Sequence, residues 1–138
     1  TNLEKRYRLR EGQDIVGYMR QIGSSGTRFF SRDQFWWNGT EITHEQIDEY
    51  SDLRDLNNRP IFELDIIEFS MGETRDRLGV VLWSEDQESW IIKDINDREL
   101  QVPVVLEGLS LFERQDIKFH AFLFSNPDLM MELGVRDD

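Results

Sequence analysis

The chain of 138 residues contains no cysteine, which excludes disulfides and thiolate chemistry together. It has only two histidines, His44 and His120, distant in sequence and without companion residues at metal-ligand spacing, so no metal site is expected. There is no glycine-rich phosphate loop and no nucleophile elbow. Glu63, Asp65 and Glu68 lie close together, but in a chain with 28 acidic residues such proximity arises by chance. A non-enzymatic protein without a cofactor is the expectation. No apolar run approaches the ~20 residues that span a bilayer, and the opening Thr1-Asn2-Leu3-Glu4-Lys5-Arg6 lacks the apolar core of a secretory signal. The expected location is therefore the cytoplasm, away from membranes.

Positive charge is also scarce. Sixteen Lys and Arg face 28 Asp and Glu, for a net charge of −12. The imbalance is uneven: residues 1–35 carry seven basic and four acidic side chains, a net of +3, and the remainder carries −15. Such a charge disfavours general duplex DNA binding, which depends on neutralising phosphates. It suits a solvated surface, a basic protein partner or, if the carboxylates cluster on one surface, imitation of a polyanion.

What is present is mostly strand pattern. Lys5-Arg6-Tyr7-Arg8-Leu9-Arg10 alternates, which predicts a strand with Tyr7 and Leu9 on one face and a basic outer face of Arg6, Arg8 and Arg10. Those arginines either grip an acidic partner or neutralise the acidic remainder of the chain itself. Ile15–Ile22 reads as the next strand. Thr27–Trp37 then reads as an aromatic strand containing Phe29, Phe30, Phe35, Trp36 and Trp37. Successive side chains on a strand point to opposite faces, so one of each adjacent pair goes to the core and the other needs cover, a partner or exposure. Thr43-His44-Glu45-Gln46 has the form of a capping box and predicts a short helix over His44–Tyr50.

Leu53 to Trp83 organises the rest. Asn57-Asn58 can close a tight reversal, because Asn tolerates positive φ. Ile61–Phe69 and Leu78–Trp83 read as antiparallel neighbours, with Asp65 capping a turn at the strand entrance and Gly79 marking a close backbone approach or a bulge. Leu64, Ile66 and Phe69 cannot share one face, so that strand is bulged or covered on both sides. Ser89–Lys93, Glu99–Leu106 and Ile117–Phe124 are further strands, with Pro103 at a sheet edge or a strand end. Ser125-Asn126-Pro127-Asp128 starts a terminal helix that stops at Gly134. About eight short strands with frequent turns predict a mainly β single domain over residues 1–138, an antiparallel barrel or sandwich with one short internal and one short C-terminal helix.

The segment Leu53-Arg54-Asp55-Leu56-Asn57-Asn58-Arg59-Pro60-Ile61-Phe62-Glu63-Leu64-Asp65-Ile66-Ile67-Glu68-Phe69 resembles the signature of the YopX family of phage and prophage proteins. That family reads approximately Gly-Leu-Lys-Asp-Lys-Asn-Gly-Lys-Glu-Ile-Tyr-Glu-Gly-Asp-Ile-Val over this stretch. Gly79-Val80-Val81-Leu82-Trp83 and Phe122-Leu123-Phe124-Ser125-Asn126-Pro127-Asp128-Leu129-Met130 resemble its later motifs, and Arg6-Tyr7-Arg8-Leu9 its first strand. The chain departs from the pattern at family glycines, with Asp52, Arg59 and Leu64 in their place, and with Ala121-Phe122 where the family has Gly-Asn. The resemblance implies an SH3-like barrel or curved-sheet core and a bacterial host cell. It implies no cofactor and no catalytic residue.

The expected role is thus a protein-interaction module of a phage or prophage, binding a host or phage protein. Its candidate contact residues are Phe30, Phe35, Trp36, Trp37, Arg6 and Arg8. The alternative is a small barrel that stacks single-stranded nucleic acid on the same basic and aromatic strands. An exposed strand edge or the surplus aromatics also offers a route to a homo-oligomer.

Overall fold

The computed structural model describes residues 4–137, and they are mainly β, in antiparallel pairings, with one α-helix. They divide into two compact units, one taking in the described residues up to Tyr50 together with Asp137, the other Ser51–Arg136.

In the first unit, β1 (Glu4–Glu11) lies between β2 (Asp14–Ile22) and the opening half of β4 (Gln46–Arg54), and β3 (Arg28–Ser31) flanks β2. Leu9, Met19, Phe30 and Ile42 form its apolar core. The alternation of Tyr7 and Leu9 with arginines holds, but the expected basic outer face does not. Arg10 is 0% and Arg8 2% exposed, while Arg6 is half-buried beside Glu4 at 3.4 Å.

The reason lies in β4. Residues 44–50 do not form the expected helix; from Gln46 they are strand, and the register sets Asp48 directly opposite Arg8 and diagonal to Arg10. The Asp48 carboxylate accepts from Arg8 Nε (2.8 Å), Arg10 Nε (2.6 Å) and Arg10 Nη2 (2.9 Å). Asp137 accepts from Arg10 Nη2 at 2.6 Å and Nη1 at 3.0 Å, and the Gly12 carbonyl accepts from Nη1 at 2.6 Å. Gln46, read from sequence as part of a capping box, instead accepts the Gly12 N–H through Oε1 at 2.7 Å. A seven-residue helix has little intrinsic stability, whereas the strand satisfies two buried guanidinium groups. Burial alone would depress Arg10, but its hydrogen bonds to Asp137 and Asp48 outweigh this and hold its pKa above the ordinary value.

The second unit opens with the rest of β4, paired to β5 (Pro60–Phe62). Its main sheet is open among the described residues. β12 (Ile117–Phe122) pairs with β6 (Asp65–Met71), β6 with β7 (Thr74–Ser84), β7 with β8 (Ser89–Asp94), and β8 with β9 (Gln101–Pro103). A two-stranded hairpin, β10 (Val105–Leu106) and β11 (Leu109–Ser110), and a 3-10 turn (Arg114–Asp116) precede β12. Ile67, Phe69, Val81, Ile92, Phe112 and Ile117 are the centre of the core. The expected strand Ile61–Phe69 is broken at Glu63-Leu64 into β5 and β6, and the expected return Glu99–Leu106 is broken after Pro103, which ends an edge strand as read from sequence. A Cβ on Gly79 would stand 2.5 Å from Ile92 Cγ2 and 2.8 Å from Phe69, the close approach its position implied. The register shifts between Phe119 and Ala121, and the expected strand Ile117–Phe124 ends at Phe122, with Leu123 and Phe124 buried in a 3-10 turn.

The turns are fixed by aspartates. Asp55 Oδ1 accepts the N–H groups of Asn57 and Arg59, each at 2.9 Å, and its Oδ2 that of Phe119, also at 2.9 Å. Asp65 accepts the Phe62 N–H at 2.8 Å, the strand-entrance role expected of it. Asp94 holds the Asn96 and Asp97 N–H groups, each at 2.8 Å, and pairs with Arg77. Helix α1 (Pro127–Glu132) starts on Asn126, which accepts the Leu129 N–H, and Gly134 (φ 69°) follows its end. Lys93 and Arg98 donate to the carbonyls of Leu133 and Glu132, at the end where the helix dipole favours cations.

Asp48→Ala removes the carboxylate that accepts three hydrogen bonds from two buried guanidinium groups, so urea unfolding is expected to show a loss of about 3–5 kcal/mol. Arg6→Ala, removing a surface pair, is expected to cost no more than about 0.5 kcal/mol. For Asp94, burial raises the carboxyl, but Arg77 and the N–H groups of Asp97 and Asn96 outweigh it and hold its pKa below the ordinary value. Its contribution is therefore full above the unfolded carboxylate pKa of about 4 and is lost as pH falls through the lower folded value. Unfolding measured from neutral to acid pH should show this loss, and Asp94→Asn should flatten the acid limb.

Candidate functional site

The expected aromatic strand ends early, at Ser31, and the cause is Asp33. Asp is poor in strands and accepts backbone hydrogen bonds in turns. Here Asp33 Oδ1 accepts the N–H of Phe35 (2.8 Å), the N–H of Trp36 (3.0 Å) and the Ser31 hydroxyl (3.0 Å). Ser31 Oγ in turn accepts the N–H of Gln34 at 2.8 Å and of Asp33 at 3.3 Å. Gln34 turns through the left-handed region at φ 70°. The loop closes where Phe30 and Asn38 exchange backbone hydrogen bonds of 2.6 and 3.0 Å, and Asn38 Oδ1 accepts the Thr40 N–H at 2.8 Å.

The result is a fixed loop that displays two large apolar side chains. Phe35 is 90% and Trp36 74% exposed. Beside them lies a cleft of about 230 Å³, with buried Phe30 and Ile42 in its lining, Trp36 among its walls, and Arg32, Asp33 and Glu41 as its charged groups. Trp37 is half-buried: its indole N–H donates to the Gln34 carbonyl at 3.1 Å, and the Arg20 guanidinium lies 5.2 Å from its ring centroid. Arg20 is itself paired with Glu4. The Asp33 carboxyl is held below its ordinary pKa by the N–H groups of Trp36 and Phe35, then by the Ser31 hydroxyl, so the loop stays latched well into acid.

Of the six residues singled out from sequence, the structure brings Phe30, Phe35, Trp36 and Trp37 into one short segment. Phe30 lies in the core at 5% exposure and is one of the residues lining the cleft. Arg6 is half-buried, and Arg8 is committed to Asp48. Sequence reasoning missed Ser31 and Asp33, although an Asp inside an aromatic run was the signal that the run turns. No helix of the described residues is long and apolar enough to cross a membrane, and no group of three or more potential metal ligands occurs among them.

No family model, no curated protein and no solved structure matches the chain.

Asp33→Ala removes the acceptor that holds the Phe35 and Trp36 amides. Amide hydrogen exchange of residues 34–37 is expected to accelerate at least about tenfold, while the thermal midpoint changes little because the loop is exposed. Asp33→Asn, which keeps an acceptor, should fall between the two.

Proposed function

We propose that the chain is a non-enzymatic protein-interaction module of phage or prophage origin, acting in a bacterial host cell and contacting its partner through the Ser31–Asn38 loop. The observation that carries this reading is the exposure of Phe35 and Trp36 on a backbone held in place by Asp33. Aromatic anchors on a pre-ordered loop lose little conformational entropy on binding, and such residues dominate interface energies. The burial of Arg8, Arg10 and Phe30 favours a protein partner over a single nucleic-acid strand, since two cations and one stacking surface are withdrawn from the face that would hold it.

Two features support kinship with the YopX family. Laid without a gap on the family pattern, its three glycines fall on Asp52, Asn58 and Leu64, whose φ values are 68°, 63° and 73°. The backbone thus has glycine-like geometry at each of those positions, and Asn58 rather than Arg59 occupies the turn glycine's place. Leu64 keeps this conformation while buried, so packing holds it where only glycine is at ease. The strand order β12-β6-β7-β8-β9, with a 3-10 turn leading into β12, supports an SH3-like reading of the second unit.

Affinity capture from host lysate on immobilised chain, compared with Phe35→Ala and Trp36→Ala, tests the reading. Each substitution is expected to cost about 2 kcal/mol of binding, roughly thirtyfold, without lowering thermal stability. Retention of the same proteins by both variants would overturn it.

A further inference from the structure

We propose that the second unit carries a separate site for an extended peptide segment that presents arginine or lysine among apolar residues, received in the groove between the Trp83–Trp90 pair and the β10–β11 hairpin. The groove encloses about 480 Å³, within the usual range of ligand clefts of about 300–1,000 Å³. This site is independent of the Ser31–Asn38 loop.

Trp83 and Trp90 face each other across β7 and β8, edge to face, with ring centroids 5.4 Å apart and planes at 75°. Trp90 packs on the core and Trp83 is 43% exposed. A fixed inner ring thus backs an accessible outer one, and the face of an indole attracts cations. The charged residues lining the groove are Asp52, Glu88 and Glu107; no Lys or Arg lines it. This complementarity selects a cationic occupant.

The backbone sharpens the point. Among the described residues seven non-glycine positions have positive φ, and Asp52 (68°), Glu88 (49°) and Glu107 (53°) are three of them. The Glu107-Gly108 turn joins β10 to β11 with positive φ at both residues, where Asn-Gly or Asp-Gly is the favoured pair. Glutamate gains nothing locally at position 107 or 88, so the carboxylates are not explained by the turns that hold them.

The occupant is more than a small cation because the apolar surface continues beyond the groove. Val105 lines it, and the next pair on the hairpin, Leu106 and Leu109, is 53% and 70% exposed. A chain with apolar side chains flanking its basic one covers both, and an extended backbone suits a hairpin only two residues per strand long.

The probe is a short fluorescein-labelled peptide of alternating leucine and arginine, titrated at low salt and followed by anisotropy, with lysine and glutamate versions alongside. The arginine or lysine peptide is expected to bind with micromolar affinity and the glutamate peptide not at all. The triple variant Asp52→Asn, Glu88→Gln, Glu107→Gln should weaken binding at least about tenfold. Trp83→Ala should weaken it comparably and Trp83→Phe less, with circular dichroism checking that each variant is folded. Glu45→Gln, Glu73→Gln, Glu99→Gln removes the same charge elsewhere and should leave affinity nearly unchanged. Equal weakening by both triple variants would mean attraction to net charge alone and would overturn the site. So would absence of binding at millimolar peptide, or sedimentation showing a dimer that the groove variant disperses, since the occupant would then be a second copy.

Discussion

Four carboxylates are buried among the described residues, and the turns and sheets depend on how each is satisfied. Asp48, Asp55, Asp65 and Asp94 are each at most 1% exposed, and no glutamate is buried among the described residues. Taking a carboxylate out of water costs several kcal/mol unless charge-assisted hydrogen bonds replace the lost solvent. Aspartate is the residue that can manage this beside its own backbone, because one methylene keeps the oxygens within reach of N–H groups two to four residues away. Asp55 and Asp94 do so, and Asp65 reaches back to Phe62. Asp48 differs, since it is satisfied by guanidinium groups from the neighbouring strand. No buried side-chain nitrogen or oxygen lacks a partner among the described residues. A chain of net charge −12 therefore spends part of its acidic excess as internal fasteners.

That use of charge explains which parts of the fold could be read from sequence. Local chemistry was legible: the Asn57-Asn58 reversal, with Asn58 at φ 63°, the Asp65 cap, the close approach at Gly79, and the Asn126-Pro127 helix start. Each depends on residues within a few positions or on backbone geometry that one residue type tolerates. Non-local pairing was not legible. That the arginines of Lys5–Arg10 neutralise acidic residues of their own chain was one of two open readings, but which carboxylate they meet was not legible, because Asp48 lies about forty residues later. The same blind spot made residues 44–50 a helix, since the capping pattern of Thr43–Gln46 is local and the register that defeats it is not. The aromatic segment failed for a third reason. Alternation was counted through Asp33, whose side chain ends the strand by capturing the amides of Phe35 and Trp36.

The candidate site was legible in composition and not in geometry. Phe35, Trp36 and Trp37 stood out as aromatic, yet their different fates follow from hydrogen bonds that the sequence only hints at. The Trp37 indole N–H has a carbonyl partner and its ring lies near Arg20, so it belongs to the scaffold. Phe35 and Trp36 have only their backbone N–H groups held, which leaves the side chains outward. Fixing a backbone while exposing the side chains is the arrangement that favours binding, because the ordering cost is met during folding rather than at association.

The same reasoning accounts for backbone conformations that favour glycine but lack it. Holding a non-glycine residue in the left-handed region costs of order 1–3 kcal/mol and persists where the surroundings over-determine it. At Leu64 the compensation is apolar burial, and at Asn58 it is a side chain that tolerates the conformation. At Glu88 and Glu107 neither applies, because both side chains are exposed and glutamate has no local preference for that region. A strain that folding does not explain is best explained by what the side chain offers to solvent or to a partner. At these two positions that is negative charge beside an exposed indole.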